Sequence, residues 1–148
     1  MDIELPPDFK EFLRLLADKR VEYLLIGGYA VAFHGFPRAT GDMDVWVKKD
    51  PDNAQRMVEV LRAFGFDTPE LSPALFLSDD SLIRMGVPPM RIEVSTKISG
   101  VSFRECYEGR VDVNLEGIPV AIIGLEHLKL NKKAAGRHRD LDDLEHLP

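Results

Sequence analysis

Asp42-Met43-Asp44 opens a run, through Val47, in which apolar residues alternate with acidic ones and a tryptophan. An extended strand sends successive side chains to opposite faces, so Met43, Val45 and Val47 share one face and Asp42, Asp44 and Trp46 the other. Two carboxylates then stand side by side at the start of the strand. Like charges so placed disfavour each other's ionisation, and the arrangement makes sense chiefly when a cation or a proton is held between them. The competing reading is an ordinary turn leading into a surface strand, since Gly41-Asp42 suits a turn.

The segment before this strand adds a second feature. Val21 to Ile26 is a short apolar run that reads as a central strand, and it meets Gly27-Gly28 before a short helix, Tyr29 to His34. A helix start behind a glycine pair presents backbone N–H groups with no side chain in the way, and such a start can hold phosphate. Tight strand-to-helix packing demands the same glycines. The connecting loop runs from Gly35 to Gly41, with Gly35 stopping the helix and Pro37 preventing its resumption. Arg38, four residues before Asp42, can reach the same pocket, where its fork would hold a phosphate or lock a carboxylate. Thr40 can orient the turn through its hydroxyl. His34 reads as a helix-end contact.

A third carboxylate lies further along. In Met90 to Thr96 the alternation turns Met90, Ile92 and Val94 inward and sends Arg91, Glu93 and Ser95 the other way. Glu93 is thus isolated in an apolar strand, as Asp42 and Asp44 are in theirs. An edge salt bridge explains it equally well, but adjacency of the two strands would complete a site of three carboxylates.

The rest of the chain is scaffold. Pro6-Pro7-Asp8 starts an amphipathic helix over about 8 to 19, with Asp8 as its cap and Phe9, Phe12, Leu13 and Leu16 facing the core. Asp50-Pro51 starts a second helix with Ala54, Met57, Val58, Leu61 and Phe64 as its buried stripe and Gly65 as its end. Residues 66 to 81 read as loops around short structured pieces. Leu82 to Met85 reads as an edge strand closed by Gly86 and Pro88-Pro89. A short helix over 101 to 107 precedes two brief strands, Val111 to Val113 and Ile118 to Ile122, and Pro119 assigns the second to an edge. Leu125, Leu128 and Ala135, then Leu141, Leu144 and Leu147, mark two closing helical pieces within 124–148, divided at Gly136.

A length of 148 residues suits one domain, residues 1–148, and 45% apolar content gives it a real core. No segment approaches the roughly 20 apolar residues needed to cross a bilayer. The acidic N-terminus lacks the pattern of a secretion signal, so the expected location is cytoplasmic and no membrane partner is expected. The lone Cys106 reads as a buried thiol. A net charge of -6 argues against broad coating of nucleic acid, yet Lys129, Lys132, Lys133, Arg137, His138 and Arg139 form a basic cluster. Asp140, Asp142, Asp143 and Glu145 follow it, and the whole reads first as charges paired along a helix.

Taken together, Ile26-Gly27-Gly28-Tyr29-Ala30-Val31, His34-Gly35, Arg38-x-Thr40 and Asp42-Met43-Asp44 resemble the polymerase-beta-like nucleotidyltransferase superfamily. The resemblance is to its small bacterial members, related to minimal nucleotidyltransferases and to components of toxin-antitoxin and phage-defence systems. It covers Val21 through Thr96, and the basic-then-acidic stretch from Lys132 to Leu144 looks like the family's closing helices. It implies an α/β (α+β) nucleotidyltransferase fold: a short mixed sheet flanked by helices, with further helices at the C-terminus.

The resemblance also implies a function. Gly27 and Gly28 would support an incoming nucleoside triphosphate, and Asp42 and Asp44 would bind a divalent metal, Mg2+ or Mn2+. Glu93 would be the third ligand or the group that receives the acceptor's proton. Glutamate stands here where several members have aspartate, and Gly-Gly where many have Gly-Ser. Arg38 is the first candidate for neutralising phosphate, ahead of Lys97 and Lys129. The expected reaction is metal-dependent transfer of a nucleoside monophosphate to a hydroxyl or phosphate acceptor on a protein, a tRNA end or a small molecule, with an oligomer or a partner protein helping to recognise it. The rival is a catalytically inactive binding protein of a two-component system. A third reading is phosphodiester hydrolysis with similar ions.

Overall fold

The computed structural model describes residues 4–87 and 90–148. Helix α1 (Pro7–Asp18) turns Phe9, Phe12, Leu13 and Leu16 into the core. Its N-cap is Pro6 and no side chain caps it, so Asp8 does not have the capping role expected of it. With Pro7 as the first helical residue, Asp8 falls inside the first turn, where its charge suits the helix dipole.

Strand β1 (Tyr23–Ile26) is wholly buried and runs straight into α2 (Gly27–Phe33), which begins at the glycine pair itself rather than at Tyr29. Strand β2 (Asp42–Val47) follows, then α3 (Pro51–Phe64). The Asp50 side chain accepts from Asn53 N–H and Gly65 closes α3 in the left-handed region. Asn53 is buried and accepts from Glu22 N–H while donating to the Glu22 and Lys48 carbonyls, which fastens α3 to the outer ends of β1 and β2. A 3-10 turn over Pro73–Phe76 leads to β3 (Leu82–Val87) and β4 (Met90–Ser95). Gly86 lies inside β3 and does not end it, because its φ of +89° lets the backbone pass close to Met90 O. Pro88-Pro89 lie outside the described residues. Met90, expected to face inward, is 45% exposed, since it is the first residue of β4 and pairs with Val87, itself 76% exposed; Ile92 and Val94 are buried.

Helix α4 (Phe103–Glu108) precedes β5 (Val111–Leu115) and β6 (Ile118–Ile122). The six strands form one mixed sheet in the order β3-β4-β2-β1-β6-β5. Strand β6 is therefore interior, against the expectation from Pro119. The proline is tolerated because β1 pairs with β6 only at Leu25 and Ile122, at the far end of the strand, and Pro119 itself is exposed. Helices α5 (Leu125–Ala135) and α6 (His138–His146) are separated by Gly136, whose φ is +65°. Helix α6 departs from an apolar stripe: Leu141 is 47% exposed, while Asp140 and Asp143 are buried. Among the described residues no helix is long and apolar enough to cross a membrane.

Candidate active site

Strands β2 and β4 run parallel, with Asp42 opposite Arg91, Asp44 opposite Glu93 and Trp46 opposite Ser95. Residues opposite one another share a face, so Asp42, Asp44 and Glu93 are brought together although two of them lie far from the third in sequence. Met43, Val45, Ile92 and Val94 take the other face and are buried there. The carboxylates line a cleft of about 960 Å3 together with Ile26, Gly27, Gly28 and Thr40.

The glycine pair is set by close approach. A Cβ on Gly27, which has φ of +67°, would stand 2.1 Å from Asp44 Oδ2, and one on Gly28 would stand 2.6 Å from Thr40 Oγ1. Residue 27 can thus only be glycine if Asp44 is to keep its place. A serine at 28 would collide with Thr40, whose hydroxyl fills that space and bonds to Asp42 O at 3.2 Å. The Gly-Gly departure and Thr40 are two parts of one packing solution.

The three carboxylates differ in their partners. Asp42 is held by the fork of Arg91, with N–O distances of 3.0 and 3.4 Å. Glu93 accepts from Arg84 at 3.0 Å and lies 3.8 Å from Arg91. Asp44 has no ion-pair partner among the described residues, and its pKa is pushed up to about 7. Burial is the largest cause, followed by a hydrogen bond to Glu93 and repulsion from Glu93 and Asp42; Lys132 pulls the other way.

Basic side chains dominate the rest of the cleft. Arg38, Arg84, Arg91, Lys97, Lys132, Arg137 and Arg139 face three acids, which makes the cleft cation-rich in a chain of net charge -6. Arg38 is there, but its fork grips Asp143 at 2.8 and 3.0 Å. Of its two expected uses, the one seen is the locking of a carboxylate, and that carboxylate belongs to α6. Lys132 is buried between Asp140 at 3.1 Å and Asp143 at 3.0 Å, and Arg137 holds Asp140 at 2.7 Å. Lys97 lines the cleft, whereas Lys129 does not and instead approaches Glu126. His34 caps α2, its ring within 2.7 Å of Ile123 O. Cys106 is buried, and burial pushes its thiol up to about 11. Sequence reading missed Arg84 and Arg91 as cleft residues, and it named Lys132 and Arg137 only in a basic cluster expected to pair with the acids that follow, as they do with Asp140 and Asp143. The alternation of β4 gives Arg91 its face but not its partner.

Among the described residues, no three acidic, histidine or cysteine side chains are drawn together tightly enough to hold a metal ion unaided. The donor chemistry nonetheless fits Mg2+ or Mn2+. Mg2+ commonly takes only one or two carboxylates and completes its shell with substrate phosphates and water. Asp44, half-buried among acids with no ion-pair partner among the described residues, is an oxygen donor of the right kind, and Asp42 is its neighbour on the same face.

No protein-family model matches the sequence, and comparison with curated proteins gives no match. Solved structures do match. A candidate nucleotidyltransferase from Thermotoga maritima aligns with a TM-score of 0.59 at 15% identity, over 92% of this chain and 87% of that one. An antigenic nucleotidyltransferase-like protein from Paracoccidioides brasiliensis aligns with a TM-score of 0.52 at 19% identity, over 96% and 76%. At such identities the likeness is one of fold. The chain has the nucleotidyltransferase-like fold, a six-stranded mixed sheet flanked by helices.

Proposed function

We propose that the protein transfers a nucleoside monophosphate from a nucleoside triphosphate to a hydroxyl or phosphate acceptor. The observation that carries this reading is the register pairing of Asp44 with Glu93, beside Asp42, in a cleft otherwise lined by cations. The acceptor oxygen bonds to the alpha phosphorus, the bond from that phosphorus to the bridging oxygen breaks, and pyrophosphate leaves. A bound Mg2+ or Mn2+ would supply charge neutralisation at the phosphates and a more acidic acceptor hydroxyl.

Asp42 and Asp44 are the residues that would hold it. Glu93 is placed to help or to take the acceptor's proton. Gly27 and Gly28 keep the triphosphate's approach clear of side chains. Arg137 and Arg139 offer charge to the triphosphate, Lys97 stands between this cleft and the cavity beside it, and Arg38 and Lys132 act mainly by fixing α6 behind them.

A binding role without catalysis draws on one specific observation: arginines already neutralise Asp42 and Glu93. One experiment separates the two. Calorimetric titration with nucleoside triphosphates, with and without Mg2+, is paired with transfer of labelled triphosphate to acceptors in a cell extract. Asp42→Asn or Asp44→Asn should lower transfer on the order of 100-fold and abolish the Mg2+ dependence of binding while circular dichroism stays unchanged. Glu93→Gln should reduce the chemical step more than nucleotide binding. Transfer that survives loss of Asp44 overturns the reading.

A further inference from the structure

Beside the carboxylate cleft, and sharing Lys97 with it, lies a second cavity of about 520 Å3 that the reaction above leaves unused. Trp46 lines it, two residues beyond Asp44 on the same face of β2. At a rise of about 3.3 Å per residue, the two side chains leave the strand roughly 7 Å apart. Phe103 of α4 meets the indole edge-on, with ring centroids 5.1 Å apart, and stacks on Tyr107 at 5.3 Å.

Three properties define what this cavity can hold. Trp46 is only 2% exposed, and its Nε1 is the one buried side-chain polar atom among the described residues with no hydrogen-bond partner. Such an unpaired donor is rarely kept without reason. Phe103 and Tyr107 pack against the core yet stay only half-buried; the Tyr107 ring is already engaged by Phe103 and by the Arg110 guanidinium 4.0 Å from its centroid, which leaves Phe103 as the aromatic surface of the cavity. Lys48 and Lys49 are committed to Glu22 and Asp79, but Lys97 forms no ion pair among the described residues, and Arg104 has only a 3.6 Å contact with Glu108 on a side chain that is 91% exposed. The cavity therefore offers an aromatic face and two weakly committed cations. A planar ring bearing an anionic group matches both.

We propose that this cavity is the acceptor seat and takes a terminal nucleotide. The base lies against Phe103, the phosphate meets Arg104 and Lys97, and the sugar hydroxyl is turned along β2 toward Asp44 and Glu93. The volume falls in the usual range for small-ligand sites, about 300–1,000 Å3. This assignment rests on the transfer reading, and it names the acceptor's chemistry: a free nucleotide or the end of a single-stranded RNA.

Trp46 is the only tryptophan, so its emission reports on the cavity directly. The full-length protein is titrated with AMP in the absence of divalent cations. The expected result is a saturable change in Trp46 emission, with adenosine and ribose 5-phosphate binding about tenfold more weakly because each lacks one of the two anchors. Arg104→Ala, a change at an exposed position, should weaken AMP about tenfold and leave the emission of the free protein unaltered. A short single-stranded oligoribonucleotide that binds more tightly than AMP identifies an RNA end as the source; equal affinity identifies the free nucleotide. No emission change at millimolar AMP, or an equal change in Arg104→Ala and Phe103→Leu, overturns the seat. Binding at Trp46 with no labelled transfer to AMP or to the oligonucleotide overturns the transfer reading and leaves a nucleotide site; transfer to nucleotides with a silent Trp46 overturns the seat alone.

Discussion

Asp44 holds its proton up to about pH 7, because burial, Glu93 and Asp42 all oppose its ionisation, whereas in the unfolded chain an aspartate ionises near pH 3.9. Between those values the folded state binds the extra proton, so the metal-free protein loses stability as pH rises from about 4 to about 7, and the full cost remains above that. Asp44→Asn cannot ionise and escapes this cost. Its thermal midpoint in EDTA at about pH 8 should exceed that of the unaltered protein by several degrees, on the order of 1–2 kcal/mol, and the gap should close near pH 4. Thermal melts followed by circular dichroism at the two pH values check both the size and the sign. The same substitution that stabilises the fold should cost it the cation.

Helix α6 is docked by charge. Burial raises the pKa of Asp140 and Asp143, but hydrogen bonds from Arg137 and Lys132 to the first, and from Arg38 and Lys132 to the second, outweigh it and leave both carboxyls lowered. Their contribution is present at neutral pH and is lost as pH falls through the ordinary carboxylate range toward the lowered native values. Lys132→Met removes the shared cation from two buried acids and should cost about 3 kcal/mol. It should also move the acid unfolding midpoint upward, measured by circular dichroism from neutral to acidic pH. This helix also shows where sequence reading stops. Of the leucines at 141, 144 and 147 only Leu147 is buried, and the inward face of the helix carries Asp140 and Asp143, because Arg38, 105 residues from Asp143, reaches across to it. Arg91 escapes for the same reason, its partner Asp42 lying 49 residues away. The strands, the glycine pair and the carboxylate faces are legible because local geometry alone dictates them. Pro119 misleads because a parallel neighbour that pairs at only one end of β6 leaves no trace in composition.

Across the whole molecule, the chain's net negative charge and its cation-lined cleft occupy different places. The acids of α6 sit behind Lys132 and Arg38, so the positive charge that faces the cleft is backed by negative charge on its far side. Anions are thereby favoured at one mouth of an otherwise acidic surface. The sheet places that mouth where β1 gives way to α2 and where β2 and β4 begin side by side.

The parallel register of β2 and β4 has a kinetic corollary. Gly27, Thr40 and Asp44 can meet within a short local unit, but Glu93 joins them only after α3, the 3-10 turn and β3 have been traversed and the crossover has closed. Loops of that length are slow to close, because chain entropy must be surrendered before any ladder bond rewards it. A refolding chain should therefore bring Glu93 beside Asp44 in its slowest phase, after most helical signal has returned, as stopped-flow circular dichroism followed alongside the emission of Trp46, which pairs with Ser95 in the same ladder, would register. Nascent chains released before Glu93 is made would carry the two aspartates without the third carboxylate.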